Sequence, residues 1–412
     1  MSEPFRPRTR FRDVSSLAST YLPDDLADVL ADLEALVEAE SYSADLEGCR
    51  ACGQRLAELL VARLGGDADV GDDGRVAWAG GETPPEGGRG SQVGRRSREA
   101  PVLLLGHLDT VWPRGSLSSH PFTIAAGRAY GPGVFDMKAG LVVALHAMRA
   151  LRKAGRLPSV RLLVTADEEI GSPRSRRQVE QEAARCGRVL VLEPCGPEGA
   201  VKRGRKGVAL GTVTVTGRAA HAGAEPDKGI NAAVGIGPLL PEIAALSDPA
   251  RGTSVTPTVL QAGAATNTVP DKAVLSLDVR FFEPGETDRV RNALCKLVPA
   301  NGATLTVELD VNRPPLHAEA SEPLLGALHA AAEALGMELP SQVTGGASDG
   351  NFAAAAGAAV LDGLGPAGDG AHADHEHVLV ADIPRRIALL AELLPRVAAC
   401  APPAGRPSLP LG

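Results

Sequence analysis

Aromatic side chains are scarce in this chain, which has only 7 Phe, 3 Tyr and 2 Trp in 412 residues. Hydrophobic residues still make up 44%, so the interior has to be built from Ala, Leu and Val. No apolar run approaches the 18 or so uninterrupted residues of a membrane-spanning helix, which excludes a span of that kind. Six cysteines (Cys49, Cys52, Cys186, Cys195, Cys295, Cys400) in a chain of this length do not make a disulfide framework. Cys49 and Cys52 form one C-x-x-C with no partner pair and no strand before it, which reads as an incidental pair on a helix. The first residues, MSEPFRPRTRFRD, are basic but lack a following apolar region, so no signal peptide is expected and the expected location is cytoplasmic. The net charge of −8 argues against a nucleic-acid partner and against an anionic membrane surface. A small anionic substrate stays compatible with that charge, because a metal centre can dominate the local field.

The length allows two domains, and no repeat period is visible. Residues 24–64 read as helical, with apolar positions at Leu26, Val29, Leu30, Leu33 and Val37 and again from Leu56 to Leu64. Residues 80–100, rich in Gly, Pro and charge, read as an exposed loop. Strand-length apolar runs follow at Val102–Leu105, Val160–Val164 and Val189–Leu192. Between the first two of these lies an amphipathic helix, Lys138–Lys153, with Leu141, Leu145, Met148 and Leu151 on one face. Such alternation signals an α/β domain with a largely parallel, buried sheet. From about 208 to 312 the period changes to two, as in Ala273–Phe281, with helical stretches at Asn231–Leu246 and Thr287–Leu297. The order strand, helix, strand, strand, helix, strand describes a small ferredoxin-like α+β module. The expected division is 1–206, 207–313 and 314–412, with the middle part inserted into a catalytic domain formed by the other two.

Four short segments, each just beyond an apolar run, concentrate the chemistry: GHLDT (Gly106 to Thr110), GPGVFDMKAG (Gly131 to Gly140), TADEEIGS (Thr165 to Ser172) and LEP (Leu192 to Pro194). A fifth, GAHADHEHV (Gly370 to Val378), adds histidines. Taken singly they say little. His107 and Asp109 also read as a strand-end histidine with a turn aspartate, Asp136 as a helix N-cap, and the run from Asp167 to Glu169 as a solvated acidic stretch. Their convergence says more, because ligands in parallel sheets sit at the carboxyl ends of the strands. Carboxylates mixed with imidazoles suit zinc-like divalent ions, and two such ions side by side suit amide hydrolysis. Of the nine histidines, His375 and His377 read as surface residues, and His120, His146, His317 and His329 as structural ones.

On these segments the chain resembles the zinc-dependent aminoacylase/carboxypeptidase superfamily of co-catalytic metallopeptidases, and within it the bacterial glutamate carboxypeptidases of the G type. The likeness runs from about residue 25 to 395, with all five segments in the family's order. It implies two zinc ions per subunit, with cobalt or manganese as alternatives, bridged by Asp136. One ion would also hold His107 and Glu193, and the other Glu169 and His372, which the spacing His372-x-x-x-Glu376 favours over its neighbours. Glu168 matches the general base, and Asp109 the carboxylate that orients a histidine. With three ligand carboxylates and a bridging hydroxide against two divalent ions, such a core would be neutral. The inserted module resembles a lid and dimerisation domain, implying a homodimer. There His221, Asn267, Arg280 and Arg313 match substrate-contacting positions, arginine being suited to carboxylates by its planar fork, and beyond it GGASDGNF (Gly345 to Phe352) resembles the family's pocket loop, with Ser348 as a contact. The implied activity is release of a C-terminal amino acid, glutamate favoured, from a small peptide or N-acyl amino acid. The rivals are an N-acyl-amino-acid deacylase of acetylornithine or succinyl-diaminopimelate type and, from another class, a non-catalytic metal-binding protein. The basic stretch VKRGRKG (Val201 to Gly207) departs from the folate-cleaving pattern and puts a folate-like substrate in doubt.

Overall fold

The computed structural model describes residues 26–81 and 100–401; the loop expected at 80–100 therefore falls almost wholly outside the described residues. The chain divides into two compact units. The first takes the described residues up to Arg203 together with Glu319–Gln342 and those from Ala356 onward. The second takes Gly204–Ala318 and Val343–Ala355.

The first unit opens with α1 (Leu26–Val37) and α2 (Leu46–Leu64). Asp45 caps α2 by accepting the Gly48 amide at 3.1 Å, which satisfies one of the donors a helix start leaves unpaired. A six-stranded sheet follows, built from β1 (Ala68–Val70), β2 (Val76–Gly80), β3 (Val102–His107), β4 (Val160–Thr165), β5 (Arg188–Val191) and the strand Ala359–Leu361. Their order is β1, β2, β4, β3, β5, Ala359–Leu361. The last four are mutually parallel, while β2 runs antiparallel to β4, and β1 antiparallel to β2. Val102 to His107 is buried throughout, as a parallel strand covered on both faces has to be. Each such Leu or Val contributes about 1.5–3 kcal/mol by leaving water.

Helix α3 (Ala139–Lys153) carries the expected Leu141, Leu145, Met148 and Leu151 inward, but Val142, Val143, Ala144 and Ala147 are buried as well. It is covered nearly all round because α1, α2 and the helix Ile383–Ala399 also pack on it. Burial of these further Val and Ala positions leaves no polar face for a periodicity reading to detect. No helix among the described residues is long and apolar enough to cross a membrane.

The second unit is a four-stranded antiparallel sheet of β6 (Gly207–Thr216), β7 (Ser254–Ala262), β8 (Lys272–Phe281) and β9 (Thr304–Arg313), in the order β7, β8, β6, β9. Burial alternates strictly along β8, and one apolar face packs against helices while the other stays polar. The stretch Asn231–Leu246 forms two short helices, Ala232–Ile236 and Leu239–Ala244, rather than one. Pro238 separates them, since it offers no amide hydrogen to continue the first.

Candidate metal centre

Three neighbouring parallel strands end at the same edge of the sheet. His107 is the last residue of β3 and lies opposite Thr165, the last of β4, while Leu105 lies opposite Val191 at the end of β5. The chain leaving β3 carries Asp109, that leaving β4 carries Glu168 and Glu169, and that leaving β5 carries Glu193. Asp136 arrives from the irregular turn before α3, in which the Asp136–Met137 peptide bond is cis. The helix start lies close by: a Cβ on Gly140 would stand 2.0 Å from the Leu192 carbonyl oxygen, so only glycine lets α3 approach the Glu193 segment. His372 comes from a turn in which it takes a φ of 65°. That left-handed conformation costs an ordinary residue about 1–2 kcal/mol, and strain of this kind concentrates at functional sites.

Two histidines face the two oxygens of one aspartate. His107 Nε2 stands 3.3 Å from Asp136 Oδ1 and 3.5 Å from Glu193 Oε1. His372 Nε2 stands 3.5 Å from Asp136 Oδ2 and 3.1 Å from Glu169 Oε1. His107, Asp136 and Glu169 each offer a ligand atom within 4.8 Å of the others. His107 is buried, whereas His372 is half exposed.

Asp109 works in two ways. Its backbone carbonyl lies 3.0 Å from His107 Nδ1, with the carboxylate behind at 3.5 Å, so Nδ1 donates there and Nε2, which faces Asp136 and Glu193, is the nitrogen that can ligate once it gives up its own proton. The Asp109 carboxylate also accepts the Ser43 hydroxyl at 2.7 Å and the amides of Glu168 and Glu169 at 3.1 and 3.2 Å. It thereby clamps the turn that presents both glutamates. Ser43, between α1 and α2, carries no sequence signal for this contact.

Electrostatically the cluster calls for positive charge. Burial alone would depress His107, but the carboxylates of Asp109, Asp136 and Glu193 override it and hold the ring well above its ordinary pKa. Contacts with Asp136 and Glu169 push His372 up to about 10. Burial raises Asp136, yet the two histidines win and drive it far below the carboxylate range. Glu169 goes up, through burial first and then the neighbouring Asp136. Asp136 Oδ1 is also buried without a hydrogen bond of acceptable geometry. Carboxylates gathered around two imidazoles that hold extra protons are what a divalent cation would satisfy, displacing those protons as it bound. The donor set therefore fits a metal.

The five positions matched to substrate contacts lie in the second unit. His221 lies on a two-residue ribbon that pairs Ala220–His221 with Thr268–Val269, and Asn267 directly precedes the second strand, its carbonyl accepting the Ala222 amide at 2.9 Å. Arg280 and Arg313 both lie opposite Val208, on the two strands flanking β6. Arg280 is partly exposed and held by Asp278 through two hydrogen bonds of 2.7 and 2.8 Å. Arg313 is buried, bonded to Asp349 at 3.2 Å and lying over the Phe352 ring. Ser348 is buried beside them, its hydroxyl accepting the Gly350 amide at 3.1 Å.

Residues 103–396 match the model of peptidase family M20/M25/M40. Carboxypeptidase G2 of Pseudomonas sp. (strain RS-16) is 32% identical over 396 residues, which cover 90% of this chain and 89% of that protein. A succinyl-diaminopimelate desuccinylase of Thioalkalivibrio sulfidiphilus is 30% identical over 310 residues, covering 70% and 82%. The fold matches that of an M20 family metallo-carboxypeptidase from Sulfolobus solfataricus with a TM-score of 0.70, at 17% identity over 90% of this chain and 99% of that one. The chain belongs to peptidase family M20/M25/M40 and is a metallohydrolase.

Proposed function

We propose that this M20-family hydrolase cleaves an amide bond to release a C-terminal amino acid, glutamate favoured, from a short peptide or N-acyl conjugate. The observation that carries the reading is the placement of Asp136 between two histidines, one facing each of its oxygens at 3.3 and 3.5 Å. Asp136 would bridge two zinc-like cations, with His107 and Glu193 completing one site and Glu169 and His372 the other. When bound, the cation pair supplies Lewis acidity that polarises the scissile carbonyl and makes water at the site more acidic.

The chain's own groups do the rest. Asp109 holds His107 in the tautomer that leaves Nε2 free to ligate, and holds the Glu168–Glu169 turn through its two amides. The Glu168 carboxylate takes a proton from water as the oxygen bonds to the carbonyl carbon. It returns that proton to the departing nitrogen as the C–N bond breaks, giving acid and free amine. In the second unit, His221 Nδ1 accepts the amides of Gly223 and Ala224 at 3.2 and 3.0 Å. Its proton therefore sits on Nε2, which becomes a donor suited to a developing oxyanion. Asn267, at the edge of the same ribbon, adds a second polar contact. Arg280 would take the substrate's α-carboxylate in competition with Asp278, with Arg313, paired to Asp349, and Ser348 as the further matched substrate contacts.

The second unit would serve as lid and dimer contact. Among the described residues β7 pairs on one side only, and it exposes Val259 and Leu260. Apolar groups on an open strand edge favour pairing with a second copy. A cytoplasmic location belongs to the same reading: all six cysteines are free thiols, as in a reducing compartment.

The likeness to a desuccinylase favours a second reading, an N-acyl-amino-acid deacylase. Both readings use the same cluster and differ in which half of the amide is recognised. Kinetics of metal-loaded enzyme on Xaa-Glu dipeptides, N-acyl glutamates, acetylornithine and succinylated diaminopimelate separate them. The first reading expects the highest kcat/KM on substrates ending in glutamate. Preference for a fixed acyl group, whatever amino acid is released, would replace it with the second, and turnover of none would remove both.

A further inference from the structure

Glu376 takes no part in the chemistry above, yet it is the most heavily bonded carboxylate beside the cluster. It is buried, at 3% exposure. Oε1 accepts the amides of Phe135 and Asp136 at 2.9 and 3.1 Å. Oε2 accepts the Gly133 amide at 3.1 Å and the Trp112 indole N–H at 2.6 Å. A carboxylate has about four acceptor positions, and all four are filled here. The Asp136 segment wraps around this group tightly. Gly133 has a φ of 68°, and a Cβ there would fall 2.3 Å from Thr110 Cγ2. Glu376 also closes the turn that carries His372, its amide bonding the Ala373 carbonyl at 2.9 Å while the Ala373 amide bonds that of Gly370.

We infer that Glu376 is a positioning residue, whose carboxylate locks the Asp136 segment to the His372 turn and so sets the spacing at which the two histidines share Asp136. The two segments lie 240 positions apart in the chain, and the Asp136 amide bond is a direct tie between them. The acceptor chemistry is specific. All four partners are donors, so an isosteric glutamine would keep one accepting oxygen and turn its NH₂ against two N–H groups. A residue that merely filled space would tolerate that exchange.

The inference rests on the metal-centre reading, and its test separates the two. Apoprotein is titrated with Co²⁺ for wild type, Glu376→Gln and Glu376→Asp, reading affinity and visible absorption, with the apoprotein melting temperature measured alongside. Wild type is expected to take two Co²⁺. E376Q should bind about 10–100-fold more weakly at one site or both, the usual loss when an outer partner of a ligand is removed, and with an altered spectrum. E376D keeps both oxygens on a shorter arm and should recover part of the loss. E376Q with wild-type Co²⁺ affinity and spectrum, even if it melts earlier, overturns the proposal and leaves Glu376 a support of the fold. Should E376Q not fold, Glu376→Asp carries the test, since its shorter arm draws both oxygens away from the Gly133, Phe135 and Asp136 amides; wild-type Co²⁺ affinity and spectrum there overturn it equally. Wild-type protein that binds no Co²⁺ overturns the metal-centre reading, and this one with it.

Discussion

Replacing Glu168 with glutamine removes one ionisable group and leaves the backbone contacts of its turn in place. The turn that carries it is held by its backbone: the amides of Glu168 and Glu169 bond the Asp109 carboxylate at 3.1 and 3.2 Å, and the Gly171 amide bonds the Glu168 carbonyl at 2.9 Å. None of these contacts involves the Glu168 carboxylate, so the isosteric variant should keep the turn and place Glu169 as before. Metal content should also hold, because Glu168 is outside the proposed ligand set. What disappears is a group able to accept a proton from water and deliver it to the amine. Such a group contributes about 10²–10⁴-fold, or about 3–5 kcal/mol of barrier, and the loss should fall on kcat with KM changed only a few-fold. The assay is steady-state release of amino acid by wild type and Glu168→Gln, with elemental analysis of the same samples. A kcat within about threefold of wild type, with metals bound, would refute the base assignment; joint loss of kcat and metal would make Glu168 a ligand.

Three other outcomes follow from the same structure. Arg280→Ala should raise KM for substrates with a free α-carboxylate by about 10–100-fold, the worth of a hydrogen bond between charged groups; an equal loss on an amidated analogue would make Arg280 structural. Arg188 is buried and donates to the carbonyls of Ala398 and Cys400 at 2.7 and 2.5 Å, at the end of the helix Ile383–Ala399, and also to Ala100. Arg188→Met should cost about 3–5 kcal/mol by stranding those acceptors, seen as a lower thermal midpoint; an unchanged midpoint would show that water replaces the guanidinium. Glu286, whose chief partner is Arg289, with Thr253 and Arg251 adding to it, is depressed to about 2. A depressed carboxylate adds stability above its ordinary pKa and loses it as pH falls through the folded value. The second unit should therefore weaken between about pH 4.5 and about 2, and Glu286→Gln should flatten that dependence while lowering stability at pH 7. A pH profile that the variant leaves unaltered would contradict this.

Much of the first unit was legible because its chemistry sits where strands end. His107, Glu168, Glu169 and Glu193 each follow a run of apolar residues, and parallel topology brings such ends together whatever their separation in the chain. The alternation of β8 was equally plain, since one face of that sheet stays polar. Less was visible where a side chain acts through the backbone of distant segments. The sequence pattern marks Glu376 only as a companion of His372, yet its partners Trp112, Gly133, Phe135 and Asp136 all lie 240 to 264 positions earlier in the chain. Asp109 is a similar case: the expectation concerned its carboxylate and His107, whereas its own carbonyl stands nearer to Nδ1. Nor does a pattern of residue types reveal that Arg280 is already engaged by Asp278 two positions away on the same strand. Spacing locates the residues, but hydrogen-bond partners emerge only when the chain is folded.

The central claim is that two cations share Asp136. A zinc-edge anomalous difference map from crystals of the zinc-loaded protein addresses it most directly. The account predicts two peaks about 3.5–4 Å apart, one against each oxygen of Asp136, the first also touching His107 and Glu193 and the second Glu169 and His372. A single peak, or a pair that leaves one Asp136 oxygen without a metal, would contradict it.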